Sequence, residues 1–228
     1  MNEGLNKHYE NLSRLYLRLK GYFVTNLIIH SEKIGNNESE LDILGIRMPH
    51  HSQDDRKVNV VDYLKSSNER IEIIVADVKN TSNPNKVKFN KGLKNNDSSI
   101  EKLVKWVGVS DNNDEIIKKF KEYLNYHSNK DLTDFATFCK DDLSIGKFTF
   151  KFTFFCPSLN KWEVGGYKYI HGEEIFYFIY ECLNTDKEVD TCSRLYSYDL
   201  WNEYKPYISF FKEAKEKVTK TMFEERFV

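Results

Sequence analysis

Between Lys147 and Phe155 the chain reads KFTFKFTFF, with Phe148, Phe150, Phe152 and Phe154 at every second position and Lys147, Thr149, Lys151 and Thr153 between them. A repeat of two places the four rings on one side of an extended backbone and the polar residues on the other, so this segment is a strand and not a helix. A second segment is as constraining. Ile71 to Val78 (IEIIVADV) is a nearly continuous apolar run of strand length, and a strand apolar on both faces belongs at the centre of a sheet.

The rest of the chain supplies the neighbours and the cover. Leu5, Tyr9, Leu12, Tyr16 and Leu19 recur at spacings of three and four, which predicts a helix over 5–20 that Gly21 stops. Tyr22 to His30 and Ser39 to Met48 are rich in β-branched and aromatic residues, and Gly35-Asn36-Asn37 between them predicts a hairpin. Pro49 to Arg70 reads as an elaborated connection around the apolar island Val58 to Leu64. Ser98 and Glu101 have capping-box spacing ahead of a helix carrying Ile100, Leu103, Val104 and Val107, and Asp114 to His127 predicts a second helix with Ile116, Ile117, Phe120, Tyr123 and Leu124 on its apolar side. Further helices are predicted at Glu173 to Leu183, opened by His171-Gly172-Glu173-Glu174 with its acids at the positive end, and at Tyr207 to Val218 beyond Pro206. This order predicts an α/β fold: an antiparallel meander of three strands within a mixed sheet flanked by helices.

At 228 residues and 40% hydrophobic composition the chain can bury a sizeable core without disulfides. No repeat or linker divides it, so one domain is expected, with a core over about 5–183 and a helical extension over about 184–228. In the extension Trp201, Tyr204, Tyr207, Phe210 and Phe211 read as core or a homodimer surface before they read as a platform for stacked bases. Cys139, Cys156, Cys182 and Cys192 form no CxxC pair and lack the histidine spacing of a structural zinc site, so they read as buried thiols in a reducing compartment. MNEGLNKHYENL has no basic and then apolar targeting pattern, and no apolar run approaches the roughly 20 residues that span a bilayer, so the expected location is the cytoplasm, with no membrane partner. Thirty-four Lys and Arg against 35 Asp and Glu leave a net charge of -1, so any hold on a polyanion must come from a local patch.

Chemistry concentrates in the second and third strands. Glu40 and Asp42 stand two apart in an otherwise apolar segment, and Asp77 and Lys79 repeat that spacing at the end of Ile71–Val78. A carboxylate in such a place is costly unless it is paired or binds a metal. If the two strands are neighbours, Asp42 and Asp77 converge on one hard divalent cation; Mg²⁺ suits a site of one or two carboxylates because it keeps several waters. Lys79 would then sit beside the bound water, an arrangement suited to phosphodiester hydrolysis. Glu40, sharing a face with Asp42, is a second candidate ligand. Lys86, Lys88, Lys91 and Lys94 follow in a loop that begins seven residues after Lys79, where four ammonium groups could track a nucleic-acid backbone. His50-His51 with Asp54-Asp55 suggests zinc, but adjacent histidines point apart.

Leu41-Asp42-Ile43-Leu44 followed by Ile73-Ile74-Val75-Ala76-Asp77-Val78-Lys79-Asn80 resembles the PD-(D/E)xK motif of the restriction-endonuclease-like nucleases, in the style of the Mrr-like and Holliday-resolvase-like branches. Tyr9-Glu10 to Leu17 with Gly21-Tyr22-Phe23-Val24 is similar to that superfamily's first helix, where a glutamate precedes Gly-Tyr by about three turns. The resemblance covers roughly residues 8 to 155. It implies an αβββαβ core and a Mg²⁺-dependent endonuclease in which Mn²⁺ substitutes, acting on DNA more than RNA, as in restriction or phage defence. It also implies catalytic roles for Asp42, Asp77 and Lys79, with Glu10 as a helix-borne accessory ligand. Leu41 stands where the motif has proline, and Asp77 replaces the commoner glutamate, shortening the reach to metal by one methylene. The alternative from another class is a nuclease-like fold that binds nucleic acid or a partner protein without turnover; the intact Asp, Asp, Lys set favours the enzyme.

Overall fold

The phenylalanine-rich strand is buried along its whole length, polar positions included, and its neighbours explain why. In chain order the strands are β1 (Phe23–His30), β2 (Asn37–Arg47), β3 (Ile71–Val78), β4 (Leu143–Ile145), β5 (Phe148–Cys156) and β6 (Tyr169–His171). They form one mixed sheet in the order β1-β2-β3-β5-β4, with β6 also paired to β5. β1, β2 and β3 make the antiparallel meander, and β5 runs parallel to β3 and antiparallel to β4. β3 is thus an interior strand, as its apolar run predicts. This computed structural model describes residues 3–31, 36–52, 64, 69–83, 89–90, 92–93, 96–109, 114–126, 142–160, 169–184 and 201–227.

Six described helices cover the sheet: α1 (Glu3–Leu19), α2 (Asp97–Trp106), α3 (Asp114–Tyr126), α4 (Gly172–Leu183), α5 (Lys205–Glu213) and α6 (Lys220–Phe227). On one face Tyr9, Leu12 and Tyr16 of α1 pack in a single apolar cluster with Ile175 and Phe178 of α4, Phe211 of α5, Phe223 of α6 and the sheet residues Ile43, Ile74 and Ala76. On the other, Leu103 of α2 and Phe120 of α3 lie with Ile73, Val75, Phe150, Phe152 and Phe154. Alternate residues of β3 therefore serve the two clusters, which is why that strand is apolar throughout. The rings interlock edge to face: Phe120 meets Phe150 at 4.7 Å and 79°, a geometry that adds about 0.5–1.5 kcal/mol beyond area burial. The C-terminal aromatics are core, with Tyr9 stacked on Phe223 at 5.9 Å.

The polar side of β5 is buried because its charge is met. Lys151 Nζ stands 3.3 Å from Asp142 and 3.8 Å from Glu72. Glu72 also accepts Arg47 Nε at 2.8 Å and the Tyr22 hydroxyl at 3.1 Å. This network sits at the start of β3, with Asp77 at the other end of the strand.

Several boundaries differ from expectation. The cap of α2 is Asn96, whose side chain accepts the Ser98 N–H at 3.0 Å, so Ser98 lies in the first turn and forms no capping box; asparagine caps as well as serine. The helix predicted over Tyr207 to Val218 breaks at Ala214, which is extended (φ -67°, ψ 125°), and Val218 is buried outside any helix ahead of α6. Pro206 lies in the first turn of α5, where its missing N–H costs nothing. His171 caps α4 by accepting the Glu174 N–H at 3.3 Å. Gly35 and the Val58 island, apart from the buried Leu64, lie outside the described residues, as do Cys139 and Cys192; Cys156 and Cys182 are buried. No described helix is long and apolar enough to cross a membrane.

Candidate active site

β2 and β3 pair regularly from Arg47↔Glu72 to Ile43↔Ala76, and just beyond the last pair Asp42 lies close enough to Asp77 for their charges to interact. On its other side β2 is irregular. β1 pairs Thr25 with Leu44 and Leu27 with Leu41, so one residue, Asn26, opposes two, Asp42 and Ile43. That is a β-bulge, a device that re-aims a side chain. Its effect is visible in the packing: Leu41 and Leu44 join one apolar cluster and Ile43 the opposite one, which strict alternation would not allow. The period-two argument that gave Glu40 and Asp42 a shared face therefore fails locally. Asp42 Oδ2 accepts the Val78 N–H at 2.7 Å, which ties this carboxylate to the end of β3.

Asp77 is 2% exposed. Its Oδ2 is buried and takes no aligned hydrogen bond, while Lys79 Nζ stands 3.2 Å away. Burial pushes the Asp77 carboxyl up to about 6; the ammonium of Lys79 opposes this, the nearby charge of Asp42 adds to it, and the Asn90 backbone N–H opposes it further. Lys79 donates its backbone N–H to Phe155 O at 2.8 Å, and its side chain is 31% exposed. The ammonium thus stands where the buried carboxylate meets solvent.

Glu10, half-buried on α1, faces the same group of charges. Burial raises its carboxyl, Asp42 raises it further, and Arg14, at 3.1 Å, pulls the other way. Glu40 is exposed, and its carbonyl accepts Asn90 Nδ2. Lys86, Lys88, Lys91 and Lys94 lie outside the described residues; of the residues between them Phe89 and Leu93 are buried, and Asn90 Oδ1 accepts Ser39 Oγ at 2.8 Å and the Gly92 N–H at 2.9 Å. Asp54 and Asp55 are also outside. His51 is engaged in packing: a Cβ on Gly21, whose φ is +84°, would lie 1.9 Å from its Nε2, so Gly21 is required twice over.

Sequence reasoning missed three polar residues around this site. Arg14 donates Nε and Nη2 to the Asp42 carbonyl at 3.2 and 3.0 Å. Asn6 accepts Asn80 Nδ2 at 3.0 Å, and Asn90 bridges the lysine loop to β2. Asn6, Glu10 and Arg14 recur every four residues, one face of α1, and that spacing was a readable signal. Asn90 gave none.

Two carboxylates from adjacent strands, with Glu10 near them, are the hard oxygen donors that Mg²⁺ takes, and the buried Asp77 Oδ2 without an aligned hydrogen bond fits a cation. Among the described residues no three His, Cys, Asp or Glu side chains form a ready cage, so the fit is to a two-carboxylate site completed by water. No protein-family model matches the chain, and comparison with curated proteins and with solved structures finds no match.

Proposed function

We propose that this chain is a metal-dependent nuclease that hydrolyses phosphodiester bonds, with DNA as its substrate, as in restriction or phage defence. The observation that carries the proposal is the meeting of Asp42, in the middle of β2, with the buried Asp77–Lys79 pair at the end of the adjacent β3. The element order is compatible with it: a helix, an antiparallel meander, two helices and, after the short β4, a strand parallel to β3 follow the sequence of an αβββαβ core.

In this reading Asp42 and Asp77 hold Mg²⁺ or Mn²⁺, and Glu10 is an accessory ligand. The bound ion would polarise a phosphoryl oxygen and lower the pKa of its water. Lys79 offsets charge developing on the phosphate, from the exposed side of the pair. Protons compete with the metal for the Asp77 carboxylate, which titrates near 6 without metal, so at limiting metal the affinity for Mn²⁺ should rise as pH climbs through that value. Asp77→Ala and Lys79→Ala should each abolish Mg²⁺-dependent cleavage of duplex DNA with a cooperative melting transition retained. Wild-type cleavage rates in both variants would overturn the proposal. A nuclease-like binding module without turnover has one observation in its favour: Asp42 and Asp77 already have protein partners in Val78 N–H and Lys79. DNA binding with no cleavage in either metal would select it.

A further inference from the structure

A bulge leaves its extra residue out of the ladder, so a contact from outside the strand pair can fix where that residue points. Asp42 occupies such a bulge, and the group that reaches its backbone from beyond the sheet is the Arg14 guanidinium on α1. Two of its nitrogens converge on a single carbonyl oxygen, Nε at 3.2 Å and Nη2 at 3.0 Å. Nη2 also meets Glu10 Oε2 at 3.1 Å, and Nη1 meets Asn11 Oδ1 at 3.4 Å. The side chain is 15% exposed, so these are sheltered contacts. We infer that Arg14 is a positioning residue that grips the bulge carbonyl of Asp42, holding its carboxylate against the end of β3 and Glu10 beside it.

The physical case rests on the fork. A planar guanidinium presents several donors in a fixed arrangement, so one side chain can bond a carbonyl and a carboxylate together. Lysine has a single compact head and cannot reproduce both bonds to the carbonyl along with the Glu10 contact. The same cation also eases the crowding of negative charge, since it acts on Glu10 against the pull of Asp42 and Glu40. Arg14 touches no reacting group in this arrangement; it acts through the two carboxylates that would. The grip itself is independent of the nuclease proposal, while its consequence for metal binding rests on that proposal.

Arg14→Gln and Arg14→Lys test it in the full chain by amide hydrogen exchange. The Val78 N–H, bonded to Asp42 Oδ2, reports the carboxylate's position, and the Lys79 N–H, bonded to Phe155 O at 2.8 Å, is the control on the same stretch of backbone. Protection of Val78 should fall about tenfold or more in Arg14→Gln, and less in Arg14→Lys, with Lys79 unchanged. The Mn²⁺ dissociation constant, read by electron paramagnetic resonance, should rise by roughly 10–100-fold in Arg14→Gln and by less in Arg14→Lys, the usual effect of removing a ligand's orienting partner. Equal Val78 protection in wild type and Arg14→Gln overturns the inference, and so does equal loss at Val78 and Lys79, which marks a general structural role. Val78 deprotection in a protein whose wild type binds no Mn²⁺ upholds the grip and refutes the metal site. The unaltered protein offers a check that needs no variant to fold: the Arg14 Nε–H should exchange slowly with solvent, and fast exchange there refutes the grip.

Discussion

Replacing Asp77 with asparagine should stabilise the protein at neutral pH. The carboxyl titrates near 6 in the folded protein against an ordinary 3.8, chiefly because it is buried. A group whose folded-state pKa is raised supports folding fully below its unfolded value and loses that contribution as pH rises through the folded one. Holding Asp77 ionised therefore makes folding about 3 kcal/mol less favourable above pH 6 than below pH 4. The opposing attraction of Lys79 is already contained in that value, so no further allowance is needed for the ion pair. Asparagine keeps the shape and discards the charge, and Lys79, 31% exposed, can turn to water. The variant should exceed wild type by up to about 3 kcal/mol near pH 7.5, or roughly 6–12 °C in a chain of this size, and the advantage should close between pH 6 and pH 4. Urea unfolding of both proteins in metal-free buffer, stepped from pH 4 to 8, measures it. A difference independent of pH, or a variant less stable than wild type at pH 7.5, would show that the Asp77 charge is not under the stress described. Stability gained by removing a proposed catalytic group is the usual signature of a site built for function.

The elements that declared themselves in the sequence were those long enough to carry a hydrophobic pattern: helices α1 to α4 and strands β1, β2, β3 and β5. β4 and β6, three residues each, are too short to carry a period. α6 has one buried anchor, Phe223, and no stripe, so its position is set by rings supplied from α1 and α5. The burial of Thr149, Lys151 and Thr153 could not be read from KFTFKFTFF, because the charges that make it affordable, Glu72 and Asp142, are supplied by other segments. At the site, Asp42, Asp77 and Lys79 were legible as charges inside apolar strands. The bulge was not, since it is a matter of register between β1 and β2 and not of composition. Glu10 falls off the apolar stripe of α1 and would be a solvated residue on an isolated helix; only the packing of α1 beside the Asp42 bulge half-buries it.

Mg²⁺ or Mn²⁺ should stabilise the wild type by linkage, by about 2.7 kcal/mol at a hundredfold excess over the dissociation constant, and so raise its melting temperature, with a smaller rise in Asp42→Asn. An equal shift in both would place the ion elsewhere. At the other end of β3, Arg47→Met should cost about 3–5 kcal/mol in urea unfolding, because it strips the buried Glu72 of its closest cation and leaves Lys151 at 3.8 Å; a loss under 1 kcal/mol would mean that Lys151 alone suffices. A chain of net charge -1 holds a polyanion only through a local patch. Phe89 and Leu93 are buried, Asn90 reaches the Asp77 carboxyl through its backbone N–H, and Lys86, Lys88, Lys91 and Lys94 are its neighbours in sequence. If all four meet phosphates, changing them to glutamine should flatten the slope of log K against log salt by roughly 3 to 4, at about 0.9 per duplex phosphate contact. The weakening should be similar across DNA sequences, since phosphate contacts position a protein without reading bases. An unchanged slope would return the loop to ordinary solvated surface and require the polyanion to follow another path.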